Sequence, residues 1–192
     1  MMLSDLIRKN RSYRRFYEDV PISGEDLKGF IGMARLSASA RNMQSLKYVI
    51  SSTPGMNEKI FRTLSWAGYL KDWPGPAPGE RPSAYIVMMN DRNLSTHYYC
   101  DDGIAAQSIL LAAVEKGFGG CMIASVRTGE LAQLLDLPSH LEILMVIALG
   151  KPRERVVIED LGDDGNIRYW RDAEQVHHVP KRPLDELVVK MV

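Results

Sequence analysis

The spacing of hydrophobic residues along this chain predicts several amphipathic helices. Leu27, Phe30 and Ala34 recur at the three- and four-residue intervals that place side chains on one helix face. Ser23, with Asp26 three residues later, forms the serine–acid pair typical of a helix N-terminus. Comparable spacing and end signals predict helices over residues 4–9, 23–38, 55–64, 101–116, 128–135 and 183–189.

Uninterrupted apolar runs predict strands that are buried on both faces. Residues 84–89 and 143–149 are such runs, and each has the length of a strand rather than of a helix. Residues 156–158 and 167–170 flank an Asp-Asp-Gly-Asn sequence at 163–166, which is typical of a tight turn, so we expect these two segments to form a hairpin. The remaining predicted strands are 46–51 and 120–124.

The order of these elements indicates the fold class. Helices and strands alternate, as in an α/β or α+β domain whose helices cover a central sheet. Residues 73–79 combine proline with glycine and predict a loop, but they lie mid-chain, and no linker separates two hydrophobic cores. We therefore predict one domain spanning residues 1–192.

The charge balance argues against a nucleic-acid partner. The 192 residues include 24 basic and 24 acidic side chains, whereas proteins that coat nucleic acid carry a basic excess. The strong local excess is N-terminal, where residues 1–15 contain five basic side chains and one acidic side chain. A positive patch of this size suits a single phosphate group.

Cysteine usage and hydropathy predict a cytoplasmic protein with no membrane partner. Cys100 and Cys121 are the two cysteines, and their spacing indicates neither a disulfide framework nor a metal motif. The N-terminus lacks the apolar run of a signal peptide. The apolar stretches 104–114 and 143–149 are far shorter than the ~20 residues needed to cross a bilayer.

A basic segment, Arg11-Ser12-Tyr13-Arg14-Arg15, follows the first predicted helix. Guanidinium groups bind phosphate oxygens through paired hydrogen bonds, and a serine hydroxyl adds a further donor. The segment could therefore wrap one phosphate group. The alternative is a solvated basic stretch with no ligand.

Two further segments carry groups suited to a flat, polar ligand. Ser39, Asn42 and Gln44 lie at the end of a predicted helix, and the two amides each offer donors and an acceptor; the alternative is a helix end stopped by asparagine. Residues 117–120, Gly-Phe-Gly-Gly, precede a strand and allow close approach to the backbone. Their alternative role is a helix cap with tight packing, and their spacing is not a dinucleotide fingerprint.

No metal site is predicted. Residues 160–165 resemble the start of a calcium loop, but Arg171 stands where the twelfth position needs a glutamate. His97, Asp101 and Asp102 are close in sequence, yet no third ligand is placed beside a helical pair.

Taken together, the motifs resemble the FMN-dependent nitroreductase family over nearly the whole chain. Each motif is short, but all of them occur in the family's order. Ser45-Leu46 replaces the family's Pro-Trp, so that wall of the flavin site differs. The segments that carry the resemblance are residues 7–16, 38–44, 102–113, 117–119, 147–152 and 181–188.

The resemblance implies an α+β fold with a central, mostly antiparallel sheet covered by helices, in an intertwined homodimer with FMN at each end of the interface. It assigns no catalytic side chain. The implied cofactor-binding residues are Arg11, Ser12, Tyr13 and Arg14, joined at the phosphate end by Lys181 or Arg182; Ser39, Asn42 and Gln44 from the partner subunit; and Met122, Ile123 and Ala124 near N5 of the flavin.

The implied function is an NAD(P)H oxidoreductase that transfers hydride in two steps to an electron-poor small molecule, such as a nitroaromatic or a quinone. In such enzymes the flavin performs the chemistry, and the protein supplies orientation and electrostatics. Two alternatives stay open: a dehalogenase or flavin-destroying enzyme on the same scaffold, and an FMN-binding regulatory protein without turnover.

Overall fold

A computed structural model describes residues 2–192, which form six α-helices, eight strands and one short 3-10 helix at Ala40–Asn42. The helices are α1 (Leu3–Lys9), α2 (Gly24–Arg35), α3 (Pro54–Arg62), α4 (Asp101–Glu115), α5 (Thr128–Leu134) and α6 (Leu184–Leu187). The strands are β1 (Phe16–Tyr17), β2 (Leu46–Ser51), β3 (Ala84–Asp91), β4 (Gly119–Ile123), β5 (Leu141–Pro152), β6 (Val156–Asp160), β7 (Trp170–Arg171) and β8 (His177–Lys181).

The central sheet is built around the long strand β5. This strand pairs with β3, with β4 and, at its C-terminal end, with β1, while β2 extends the sheet beyond β3. Every one of these pairings is antiparallel. The α+β class with a mostly antiparallel central sheet is thereby confirmed.

Strand β3 shows why this sheet needs consecutive apolar residues. Ile86 and Met88 point into a core formed with α2 and α4, and Tyr85, Val87 and Met89 point into a second core formed with α3 and α5. All five side chains are essentially inaccessible to water. A strand covered on both faces cannot alternate apolar and polar residues, because both sets of side chains are buried.

The predicted hairpin of residues 156–158 with 167–170 is wrong. The turn itself forms, with a hydrogen bond from the Gly165 amide to Gly162, but β6 and β7 do not pair with each other. Strand β8 lies between them, parallel to β6 and antiparallel to β7. Its first residue, His177, is 1% exposed, and β8 is the central strand of a small, separate sheet.

Helix ends differ from the predicted ones by a few residues. Helix α1 begins at Leu3, so Ser4 lies inside its first turn, and α2 ends at Arg35. The Ser23 cap is as predicted, since its hydroxyl accepts a hydrogen bond from the Asp26 amide at 3.0 Å. Between residues 2 and 192, no helix combines the length and apolar character of a membrane span.

Candidate functional site

Two ends of the chain meet at a cavity of about 320 Å³, which we call the arginine cleft. The N-terminal loop, helix α4, strand β4 and the small C-terminal sheet all contribute to its walls. Its lining comprises Asn10, Arg11, Ser12, Arg14, Gln107, Leu110, Met122, Tyr169, His177, Val179 and Lys181. Of the cofactor-binding residues predicted from the sequence, this cavity brings together Arg11, Ser12, Arg14, Met122 and Lys181.

The N-terminal loop is fixed to the sheet by strand-like pairing. Ser12 forms a parallel bridge with Gly120, and the Tyr13 amide donates to the Gly120 carbonyl at 3.0 Å. Because extended chains advance about 3.3 Å per residue, Arg14 continues this path beside Met122. The basic segment and β4 therefore run together along one wall.

Tight packing, rather than ligand approach, explains the two glycines of β4. A Cβ on Gly119 would lie 2.6 Å from the ring of Tyr13, and one on Gly120 would lie 2.5 Å from the Ala148 carbonyl oxygen. The Tyr13 ring thus packs outside the arginine cleft, and its hydroxyl donates to the Lys9 carbonyl at 2.9 Å.

The two cleft arginines are held differently. Arg11 donates one bond, to the Ile7 carbonyl at 2.8 Å, and its buried Nε has no partner among residues 2–192. Arg14 is 9% exposed and donates from Nη1 to the Ser12 carbonyl and to Nε2 of His177, each at 3.1 Å. Arg11 thus carries an unused donor, whereas Arg14 is fixed from behind.

A buried carboxylate anchors Arg14 further. Glu154, whose side chain is inaccessible, accepts a hydrogen bond from the Arg14 amide and another from Arg171 at 3.0 Å. A buried charge is costly unless it is paired and hydrogen-bonded, and both carboxylate oxygens here are satisfied.

His177 is neutral at the centre of this cationic cluster. Burial lowers its pKa to about 4, and the neighbouring Arg14, Arg171 and His178 act in the same direction. Arginine can only donate, so Nε2 of His177 accepts from Arg14 and the ring proton sits on Nδ1. The histidine therefore orients an arginine without adding charge.

The adjacent basic residues Lys181 and Arg182 have different positions. Lys181 ends strand β8 and lines the arginine cleft. Arg182 lies outside it and forms an exposed ion pair with Glu186 at 2.9 Å. The sequence left open which of the two would join the phosphate end of the site, and only Lys181 lies in the arginine cleft.

A smaller cavity, of about 150 Å³, adjoins the arginine cleft along β4. The two cavities share Arg14, Met122 and Tyr169, and the smaller one also includes Ile123 and Ala124. These two adjoining cavities, which extend from the basic cluster to the end of β4, are hereafter called the trough.

Aromatic side chains that the sequence analysis left unassigned enclose this trough. Trp66 lines the smaller cavity, and Tyr169 lines both. The Tyr169 ring lies 4.9 Å from that of Tyr69, and the Arg14 guanidinium sits 4.6 Å from its centroid. The clustering of aromatic residues in 66–73 and 169–170 was the available signal, but nothing local indicates that the two segments meet.

Ser39, Asn42 and Gln44 lie elsewhere in the chain. Ser39 and Gln44 line a separate cavity of about 270 Å³ at the N-terminus of α4, and Asn42 is exposed beside it. Asp101 of this cavity and Gln107 of the arginine cleft are about 9 Å apart along the helix axis, at ~1.5 Å per residue. Within one chain, these residues do not join the basic cluster.

The fold and the trough define a class: an α+β protein with helices on both faces of its sheet and an elongated pocket that is cationic at one end. The sequence model of the nitroreductase family matches residues 7–151. The chain belongs to the nitroreductase family, whose members are flavin-dependent and use NAD(P)H as electron donor. This match ends before Tyr169, His177 and Lys181.

Individual relatives agree with this assignment. A protein of Archaeoglobus fulgidus, named as a candidate NADH dehydrogenase/NAD(P)H nitroreductase, is 28% identical over 148 residues, which cover 73% of this chain and 80% of that protein. The crystal structure of a nitroreductase family protein from Streptococcus pneumoniae TIGR4 aligns with TM-score 0.71 at 15% identity, over 99% of this chain and 100% of the other. An FMN-dependent nitroreductase from Clostridium difficile R20291 aligns with TM-score 0.64 at 22% identity, over 80% and 89%.

Proposed function

We propose that this protein binds FMN in the trough and reduces an electron-poor small molecule, of the nitroaromatic or quinone type, at the expense of NAD(P)H. The observation that carries the proposal is the convergence of Arg11, Ser12, Arg14 and Lys181 on one cavity. These residues come from opposite ends of the chain, and local helix or strand formation does not require them to meet.

The donor set of the arginine cleft suits a phosphate monoester. Among residues 2–192 the buried Nε of Arg11 has no hydrogen-bond partner, Arg14 is oriented by Glu154 and His177, and Lys181 adds a further cation. Such groups bind phosphate through charge-assisted hydrogen bonds. The trough extends past Met122 to Ala124. This extension along β4 supports the proposal that a flat ring system binds there.

Bound FMN would supply the redox chemistry, taking hydride from NAD(P)H and delivering it to the acceptor. The chain's own residues would fix the phosphate, support one edge of the ring through the backbone of β4, and restrict water with Trp66 and Tyr169. Cys121, which also lines the trough, is inert, because burial raises the pKa of its thiol. Donor and acceptor would occupy the same trough in turn.

We infer a homodimer from the site's incompleteness in one chain. Three apolar side chains of the first two helices are exposed: Ile7 of α1 (46%), Met33 of α2 (53%) and Leu36 at the end of α2 (69%). Met33 and Leu36 line a groove between α2 and α4 that also includes Leu6 and Leu111. A second copy covering this face could bring its residues 39–44 to the trough, as the resemblance implies.

The test is purification followed by an absorbance scan with and without added FMN. We expect a flavin band that disappears on anaerobic addition of NADH or NADPH and returns when a nitroaromatic or quinone is added. A protein that takes up no FMN would contradict the proposal. Bound flavin that neither nicotinamide reduces would favour the non-catalytic alternative, and preferential turnover of a halogenated aromatic would favour a dehalogenase.

We also propose a cytoplasmic location. Cys100 and Cys121 are both free thiols, as expected for a reducing compartment. Cell fractionation with a reporter of known location measures this directly.

A further inference from the structure

The loop of residues 39–44, hereafter the strained loop, has an uncommon backbone. Arg41, Asn42 and Gln44 have φ values of 52°, 55° and 52°, in the left-handed region that side chains disfavour. Such a conformation costs about 1–2 kcal/mol per non-glycine residue. Three such residues within four positions must be held by the surrounding structure.

Asp101, the first residue of α4, supplies that hold. It is 5% exposed, its Oδ2 accepts from the Ser39 hydroxyl at 2.6 Å, and its Oδ1 accepts from the Ala40 amide at 2.9 Å. Hydrogen bonds to a carboxylate are about twice as strong as those between neutral groups. The carboxylate therefore fixes the point at which the loop begins.

Ser39 connects the end of the loop to Asp101. While its hydroxyl donates to Asp101, the same oxygen accepts a hydrogen bond from the Gln44 amide at 3.0 Å. A hydroxyl has a single proton to donate, and that of Ser39 is already used. Both ends of the strained loop are thus tied to one buried carboxylate.

We propose that Asp101 is a positioning residue, which holds the strained loop so that Asn42 and Gln44 meet the flavin bound by a second copy of the chain. Ser39 then acts as part of this latch and donates no hydrogen bond to the flavin. This inference rests on the proposed function. It changes the role of Ser39 from a cofactor contact to a support of the two residues that follow it.

The first experiment measures the latch without cofactor. Hydrogen exchange of the apoprotein reports on the amides of Ala40 and Gln44, which are bonded to Asp101 and Ser39. In Asp101→Asn we expect both amides to exchange at least tenfold faster, while amides in the body of α4 keep wild-type rates. Unchanged exchange at Ala40 and Gln44 would overturn the latch.

Asp102→Asn is the matched control. Asp102 carries the same charge in the same first turn of α4, but it bonds only to the Gly103 amide beside it. Loss of charge near the helix dipole is therefore the same in both variants, and only Asp101→Asn alters the strained loop. If Asp101→Asn fails to fold, Ser39→Ala replaces it, with Ser39→Thr expected to restore the hydroxyl contacts.

The second experiment adds FMN. We expect the dissociation constant to rise about tenfold in Asp101→Asn, equivalent to about 1.4 kcal/mol, and to stay within twofold of wild type in Asp102→Asn. At saturation, the visible bands of the flavin should shift in Asp101→Asn alone, which general destabilisation would not cause. A loosened loop with wild-type affinity and spectrum would overturn the positioning role and leave the proposed function intact. Failure of the wild type to bind FMN would overturn both.

Discussion

The arginine cleft and the strained loop hold their polar groups in opposite ways. In the arginine cleft, Arg14 is fixed by Glu154 and His177, residues far away in sequence, and the donors line one cavity. In the strained loop, one carboxylate at the start of α4 anchors a backbone that is left-handed at three residues, and Asn42 is exposed. The first region is complete within one chain, whereas the second presents groups outward.

The two regions therefore differ in the free-energy cost of forming them. The arginine cleft costs chain entropy and desolvation of charges, which buried pairing offsets. The strained loop costs backbone energy, which the hydrogen bonds to one carboxylate offset. Substitutions in the two regions should therefore affect ligand binding and stability in different proportions.

The largest effect is expected from removing both cleft arginines. In Arg11→Ala/Arg14→Ala, each lost charge-assisted bond should weaken FMN binding by about 1.5–3 kcal/mol, so the dissociation constant should rise at least a hundredfold. Fluorescence titration of FMN measures this. Unchanged affinity in the double variant would remove the phosphate assignment.

A smaller loss should distinguish the neighbours Lys181 and Arg182. Lys181→Ala removes a cation from the arginine cleft and should cost about 1.5–3 kcal/mol of FMN affinity. Arg182→Ala removes the same charge one residue away, breaks an exposed ion pair with Glu186, and should cost under about 1 kcal/mol. Equal losses in the two variants would show that only the net charge matters.

The pH dependence of stability should sharpen the contrast further. The pKa of His177 falls from 6.5 to about 4 on folding, so below pH 6.5 the unfolded chain binds more protons and the folded state loses stability. We expect a loss of about 1 kcal/mol over the first pH unit below 6.5, because one proton is worth up to about 1.4 kcal/mol per pH unit.

His177→Gln isolates this contribution, because glutamine keeps an acceptor for Arg14 but does not titrate. The pKa of His178 is raised by its hydrogen bonds to Asp172 and Glu159, so it acts in the opposite direction in both proteins. Chemical denaturation at several pH values measures the difference. Parallel curves for the variant and the wild type would contradict a neutral, buried His177.

The smallest effect is expected at the strained loop. Gln44→Gly should raise stability by up to about 1 kcal/mol, because glycine adopts a φ of 52° without steric cost. The same change removes the amide proposed to face the flavin and should weaken FMN binding severalfold. Thermal unfolding of the apoprotein and FMN titration give the two numbers. A loss of stability would contradict the assignment of strain.

Sequence predicted the central part of this structure because its signals are local. The apolar run at residues 84–89 forms β3, and the segment with helical spacing after Ser23 forms α2. A strand buried on both faces needs consecutive apolar residues, and a helix buried on one side needs them every three or four residues, so both patterns are visible in the sequence. Of the site, Arg11, Ser12 and Arg14 were indicated by the local clustering of basic residues as well as by the family resemblance, whereas Lys181 was indicated by the resemblance alone.

What the sequence did not indicate depends on pairing between distant segments. The turn near Gly165 is present, but nothing in it specifies that β8 will separate β6 from β7. For the same reason, nothing local in the sequence indicates that His177 is buried against Arg14. Likewise, the Ser39 hydroxyl resembled a ligand contact until its bond to Asp101, 62 residues away, was known.

The central position of β8 has a thermodynamic consequence. Lys181 sits on this strand, so a phosphate gripped by Lys181 and Arg11 would cross-link the small sheet to the N-terminal loop. A ligand present at a thousandfold excess over its dissociation constant adds about 4 kcal/mol to folded-state stability. Bound cofactor would therefore stabilise the contact between the two ends of the domain. The small sheet would open more slowly with FMN bound than without it, so its opening rate would report how much of the protein carries the cofactor.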